Sequence, residues 1–489
     1  MFSAVTSVAL VGVEPRPVRV EVHITGGQPA IAIVGLPDVA VREARERVRA
    51  ALVSSGFRFP ARRVVVNLAP ADIPKAGSAY DLPIALGVLA ACGEAPPGAA
   101  GVVALGELAL DGAVRAVRGG YGAALVARAG EKPCLLSPGS AVEACRVAGA
   151  DVRAVLTLRD AVDVATGRAE PAPIPVGCPV EEPALDLADV KGQVVARRAL
   201  EVAAAGGHHM LLSGPPGAGK TMLARSLPGI LPPLEDEDVN EVSLAWAAAG
   251  RMRGTTRVPP FRAPHHSATM AALVGGGSGV PVPGEVTLAH RGVLFLDELC
   301  EFPKQLLDGL RQPIEEGSLV ISRKGATVEF PSDVQLIAAT NPCPCGHSGD
   351  RTKACACTPR TAERYRARLS GPMLDRFDLR LSVGAVPSAE LAGRGGEPSA
   401  AVRERVVAAR KRQTDRGRLN RRLGSRQLAA LDWDPAASAL LAKAVDRLAL
   451  TARGWDRVRR VAATIADLDE SAVIGEPHMA EALTYRSAS

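Results

Sequence analysis

The chain has 489 residues, 47% of them apolar and 22% charged, with a formal net charge of +6. This is ordinary globular composition, which excludes a dominantly disordered, collagenous or coiled-coil chain, and the length suits about three domains. The mildly basic balance suits a polyanionic partner but does not demand one, and bulk arginine content is weak grounds for nucleic acid binding.

No apolar run reaches the ~18 residues needed to span a bilayer. The longest, near residues 82–92, contains Pro83 and ends at Gly93. The opening MFSAVTSVALVGVEP has no basic stretch before its apolar residues. The expectation is a cytoplasmic protein with no membrane segment. Of nine cysteines, four crowd into residues 343–357, which in a reducing compartment points to metal more than to disulfides.

In chain order, VRVEVHI (18–24) and IAIVGL (31–36) read as strands. Asp38 is placed to cap a helix through VAVREARERVRAALVSSG, which Gly56 stops. RRVVVNLAP (62–70) is another strand, and AYDLPIALGVLAA (79–91) is a helix with Pro83 in its first turns. VVALGELALDGAVRAV (102–117) predicts a hairpin turning at Asp111-Gly112. Residues 1–165 are therefore expected to form an α+β domain. Residues 166–184 hold five prolines and no periodicity, the composition of a linker. An α/β domain over 185–390 and a helical one over 395–489 complete the expected organisation.

MLLSGPPGAGKT (210–221) contains Gly214-x4-Gly219-Lys220-Thr221, preceded by an apolar strand and followed by a helix. That is the context a phosphate loop requires. Gly214, Pro215, Pro216, Gly217, Ala218 and Gly219 are the expected loop, and the backbone N–H groups of its non-proline residues are expected to curl around phosphate oxygens. The following helix N-terminus adds its positive dipole end. Lys220 is expected to reach the β/γ oxygens of ATP and Thr221 to bind Mg²⁺. GVLFLDEL (292–299) places Asp297-Glu298 at the carboxyl end of a buried strand. Asp297 is the expected partner of Mg²⁺, and Glu298 the group that activates the attacking water.

DVQLIAATN (333–341) ends in Asn341, a strand-tip residue that resembles the first sensor of AAA+ ATPases. LSGPMLDRFDLRL (369–381) resembles the segment that carries the arginine finger, here Arg376, which usually acts from a neighbouring subunit. TARGWDRVRRVAATIADL (451–468) resembles the second-sensor helix, with Arg453 the first candidate and Arg457 the second. The glycines and prolines of 275–284 predict an inserted loop or hairpin. SLVISRKGATVEF (318–330) predicts another, with Arg323 and Lys324 at a basic tip suited to DNA phosphates.

VGLPDVAVREARERVRAAL, VNLAPADIPKAGSAYDLPIALG, RAPHHSA, GEVTLAHRGVLFLDEL, ATNPCPCG and GPMLDRFDL together resemble the ComM/YifB family of magnesium chelatase-like AAA+ ATPases, over nearly the whole chain. The resemblance implies a multidomain α/β protein: an N-terminal Lon-protease/ribosomal-S5-like domain, an AAA+ core with helix-2 and pre-sensor hairpin inserts, and a C-terminal helical lid. It also implies a hexameric ring acting on DNA, with branch-migration helicase activity in natural transformation. A chelatase-type subunit working through a protein partner is the alternative.

IPKAGSAYDLPIAL (73–86) is similar to the segment around the Lon catalytic serine, here Ser78. The lysine that such a dyad needs would fall near Tyr121 or Gly122, yet no lysine lies between Lys75 and Lys132. A non-proteolytic domain is expected. Cys343-x-Cys345 and Cys355-x-Cys357 offer four thiolates for Zn²⁺, with redox-active or unligated thiols as the other readings. The pairs His208-His209 and His265-His266 read as packing and loop residues. Residues 403–422 carry nine basic side chains, open to two readings: a phosphate contact or a solvated lid face.

Overall fold

The computed structural model describes residues 1–175, 185–251, 256–277, 281–323, 326–349, 353–393, 395–448 and 450–486. Its first part is a seven-stranded mixed sheet. The strands are β1 (Phe2–Val11), β2 (Glu14–Thr25), β3 (Ala30–Val34), β4 (Arg63–Ala69), β5 (Val103–Leu105), β8 (Cys134–Leu136) and β9 (Val152–Ala154). Between β5 and β8 lies a separate pair, β6 (Glu107–Leu108) and β7 (Val114–Arg115). The sheet order is β3-β4-β2-β1-β5-β8-β9.

Alternation builds β2: Val18, Val20, Val22 and Ile24 are buried while the residues between them face outward. The helix Val39–Ser54 starts at Asp38, whose side chain accepts from the Val41 N–H at 2.8 Å. The helix Asp81–Cys92 is buried nearly all round.

The expected hairpin over 102–117 divides in two. Val103, Ala104 and Leu105 are all buried, and β5 pairs in parallel with both β1 and β8. A strand apolar on both faces belongs inside a sheet, not in a half-exposed hairpin. Only β6 and β7 turn at Asp111-Gly112, where Gly112 has φ 90°. Of the Pro-rich stretch, Ala172 bridges to Ala154; residues 176–184 lie outside the described residues.

The second part is a five-stranded parallel sheet of β10 (Met210–Ser213), β11 (Phe261–Arg262), β14 (Val293–Leu296), β17 (Gln335–Thr340) and β18 (Leu379–Ser382), in the order β11-β14-β17-β10-β18. Its central strands β14 and β17 are buried on both faces. Val293, Phe295, Ile337 and Ala339 enter one apolar cluster, and Leu294, Leu296, Leu336 and Ala338 enter another. Two elements leave this layer. Between β11 and β14 come the helix Met270–Val274 and the pair β12 (Gly275–Gly276) and β13 (Val282–Pro283). Before β17 comes the hairpin of β15 (Ser318–Arg323) and β16 (Ala326–Pro331), closing at Arg323 opposite Ala326.

The C-terminal helices Ser399–Asp415, Ala452–Leu468 and Glu476–Thr484 share one apolar cluster with the helices Val194–Gly206 and Lys220–Ile230. Much of the basic stretch 403–422 is paired within the chain, although Arg403, Lys411, Arg416, Arg418 and Arg422 keep exposed side chains. Arg405 Nε donates to Glu201 at 2.6 Å, Arg410 Nε to the Ala204 carbonyl at 2.9 Å, and Arg416 to Asp467 at 2.6 Å. Arg421 and Arg422 both reach Asp333 at 2.7 Å. These five guanidiniums tie the C-terminal helices to the helix Val194–Gly206, to one another and to the loop before β17. The two parts of the chain meet where the helix Gly120–Ala129 touches the helix Asp236–Ala248: the Tyr121 hydroxyl donates to Asn240 Oδ1 at 2.5 Å, and Ala247 joins the apolar cluster around Tyr121. Among the described residues, no helix is long and apolar enough to cross a membrane.

Phe295 lies at the centre of the parallel sheet with 1% of its surface exposed. Phe295→Ala is expected to cost ~3–5 kcal/mol, read as a lower midpoint in chemical denaturation of the full chain.

Candidate nucleotide site

The loop 214–219 leaves the carboxyl end of β10 and opens the helix Lys220–Ile230. Gly219, the residue before that helix, has φ 87°, a left-handed conformation that side chains resist. Gly214 has no room for one: a Cβ there would lie 2.1 Å from the Val383 carbonyl oxygen. The loop's shape therefore follows from its glycines.

Three strand ends converge on it. Lys220 Nζ donates to the carbonyls of Gly214 at 2.6 Å and Pro215 at 2.9 Å, and to Asn341 Oδ1 at 3.2 Å beyond β17. Thr221 Oγ1 donates to Asp297 Oδ2 at 2.9 Å, beyond β14. Burial pushes the Lys220 ammonium below its ordinary value, while Asp297 and Glu298 pull the other way. Glu298 follows with φ 52°, and its N–H donates to Asp297 Oδ1 at 2.9 Å. Its carboxylate is exposed and lies 3.2 Å from His266 Nδ1. His266 is flanked by His265, ring centroids 4.1 Å apart, and by the edge of Phe302. The sequence offered no sign of this partner, because His266 precedes Glu298 by a whole inserted segment and meets it only through the pairing of β11 with β14.

Arg376 is elsewhere. It sits just before β18, at the amino edge of the sheet, where the Asp378 N–H bonds the His209 carbonyl. Its guanidinium donates to the Pro372 carbonyl at 2.5 Å and pairs with Glu315 at 2.8 Å. With Arg457, Arg460, Arg418 and Asp378 it lines a cavity of about 390 Å³. Arg457 pairs with Asp378 at 3.4 Å and Asp375 at 3.7 Å, whereas Arg453 is exposed in the first turn of the same helix. Arg323 ends β15; Lys324 lies outside the described residues.

The four clustered cysteines come together, every Sγ within 4.8 Å of the others. The His347 N–H, then the Cys343 thiol, stabilise the Cys345 thiolate and bring its pKa down to about 6. In the N-terminal sheet, Ser78 Oγ donates to Glu107, while the buried Lys75 Nζ donates to the Pro70 carbonyl. Ser78 and Lys75 thus have separate partners.

Residues 186–391 match the family described as magnesium chelatase, subunit ChlI; residues 20–139 match subunit ChlI of Mg-chelatase, and residues 396–486 the ChlI C-terminal family. With its parallel sheet and phosphate-loop pattern, the chain is a magnesium chelatase-like ATPase of the AAA+ class. It is 43% identical to the competence protein ComM of Haemophilus influenzae, across 99% of this chain and 97% of the relative. It is also 43% identical to the YifB protein of Escherichia coli, with the same coverage. A shorter likeness, 28% identity across 32% of each chain, is to Lon protease 2 of Bacillus subtilis. The chain belongs to the ComM/YifB family.

Burial alone would raise the Asp378 carboxyl, but His208, His209 and Arg457 outweigh it and hold the group well below the usual carboxylate range. Its contribution to stability is complete above about pH 4, the ordinary Asp value, and is lost as pH falls toward the depressed folded value. Asp378→Asn is expected to flatten the fall in melting temperature between about pH 5 and pH 2. An identical acid limb in wild type and variant would contradict this.

Proposed function

We propose that this protein is an ATP-hydrolysing ring motor acting on DNA. The observation that carries the reading is the convergence of Lys220, Thr221–Asp297 and Asn341 on one phosphate loop. In it, the backbone of Gly214–Thr221 cradles the phosphates, and Lys220 exchanges its carbonyl partners for phosphate oxygens. Thr221 and Asp297, already in contact, would hold Mg²⁺, whose positive charge would offset that of the phosphates. Glu298 takes the proton of the attacking water, and Asn341 positions that water. His266 orients Glu298.

Arg376 lies at the opposite edge of the sheet from its own phosphate loop. A guanidinium placed there serves a nucleotide held by the next subunit, which supports a ring, a hexamer in this reading. Arg453 is the first candidate for the second sensor and Arg457, which shares a cavity with Arg376, the second. The DNA assignment draws on the near-full-length likeness to a competence protein, on the β15–β16 hairpin whose first strand ends at Arg323, and on the Arg323-Lys324 sequence, suited to sequence-independent phosphate contact. Branch migration of recombination intermediates fits such a motor.

The proposed organisation is a non-proteolytic Lon-like domain (1–165), a linker (166–184), the ATPase core (185–390) and a helical lid (395–489). The Ser78–Glu107 and Lys75–Pro70 pairings favour the non-proteolytic assignment. The four-thiolate cluster is read as a structural Zn²⁺ site. The second reading, a chelatase-like or protein-remodelling subunit, is favoured by the family matches.

Steady-state ATP hydrolysis separates the two. It is to be measured without DNA and with single strand, duplex and four-way junction, at low and moderate salt. DNA is expected to stimulate turnover, less so at higher salt, and Arg323→Ala or Lys324→Ala to remove the stimulation. Turnover indifferent to every form of DNA would favour the protein-directed role.

A further inference from the structure

The cysteine cluster has the dimensions of a metal site. Cys343 Sγ lies 3.4 Å from Cys345 Sγ and 3.7 Å from Cys355 Sγ, and the latter two are 3.6 Å apart. A disulfide requires about 2.05 Å. Four sulfurs at ~2.3 Å around a tetrahedral zinc stand ~3.8 Å from one another. Backbone N–H groups already face the sulfurs, from Ser348 to Cys343 at 3.3 Å and from Cys357 to Cys355 at 3.4 Å. Such bonds offset the negative charge of a tetrathiolate centre.

The cluster is linked to the nucleotide site in two ways. Cys343 follows Asn341 by two residues, and Asn341 holds Lys220 at 3.2 Å. Between Cys345 and His347, Gly346 presses on Pro216 of the loop: a Cβ on Gly346 would lie 2.6 Å from Pro216 Cδ. With φ 82°, Gly346 both turns the knuckle and permits this approach. The described residues from the end of β17 at Thr340 to the helix Pro359–Arg366 contain no helix or strand. Backbone hydrogen bonding therefore does little to fix this segment, and a metal that joins Cys343 and Cys345 to Cys355 and Cys357 can fix it.

Resting on the reading of the cluster as a zinc site, we propose that the metal-tied knuckle is the wall against which the phosphate loop is set, so that zinc occupancy controls nucleotide affinity. Zinc here takes no part in hydrolysis. It holds Gly346 against Pro216 and anchors the chain that carries Asn341.

The test uses the full chain, with elemental analysis for zinc and the Kd of a fluorescent ATP analogue with Mg²⁺. The protein as isolated should carry one zinc per chain. Removing it with a zinc-selective chelator should weaken the Kd by ~10-fold, the scale on which outer-shell support acts, and added zinc should restore it. Cys355→Ser/Cys357→Ser should lose both zinc and affinity. Pro216→Ala should keep zinc and still bind nucleotide more weakly. Protein isolated without zinc, its four thiols free or paired, would overturn the zinc reading and this inference with it. Zinc present, but Kd unmoved by its removal and by Pro216→Ala, would overturn the inference alone.

Discussion

The structure depends on one convergence: the carboxyl ends of β10, β14 and β17 deliver Lys220, Asp297 and Asn341 to a single point. A parallel sheet permits this because neighbouring strands all end on the same side. Both faces of that sheet are buried in apolar clusters, which fixes the register and with it the spacing of the strand ends. The glycines at 214 and 219 then allow backbone where a side chain would collide or strain. Nothing in the site is placed by a long loop alone except His266 and the cysteine knuckle. Each of those is held by a specific partner, Glu298 in one case and the phosphate loop in the other.

Charge does a second job, at the junction of sheet and C-terminal helices. Asp333 receives Arg421 and Arg422, Asp467 receives Arg416, and Glu201 receives Arg405. A carboxylate left buried without its guanidinium would be costly, so these pairs fix where the helices dock. The same junction carries Arg376 and Arg457 around a shared cavity. Helix docking therefore also sets the geometry of Arg376 and Arg457.

What was legible in the sequence is what is local. The phosphate loop is written in glycine spacing, the β14 tip in a short apolar run before Asp297-Glu298, and the helix start at Asp38 in one capping side chain. What was not legible depends on distant partners. The run 403–422 looks like a basic face in one dimension, yet Arg421 meets Asp333 across 88 positions and Arg405 meets Glu201 across 204. The stretch 102–117 carries a true turn at Asp111-Gly112, but its first strand is claimed by the larger sheet. His266 belongs to no periodic pattern, and only strand pairing brings it to Glu298.

The central claim is that this convergence binds ATP and that Glu298 drives its hydrolysis. The direct measurement compares ATP binding and single-turnover hydrolysis in wild type, Lys220→Ala and Glu298→Gln. The account predicts that Lys220→Ala loses binding, whereas Glu298→Gln binds as wild type does and fails to turn over. Equal loss of binding in both variants, or continued turnover in Glu298→Gln, would contradict it.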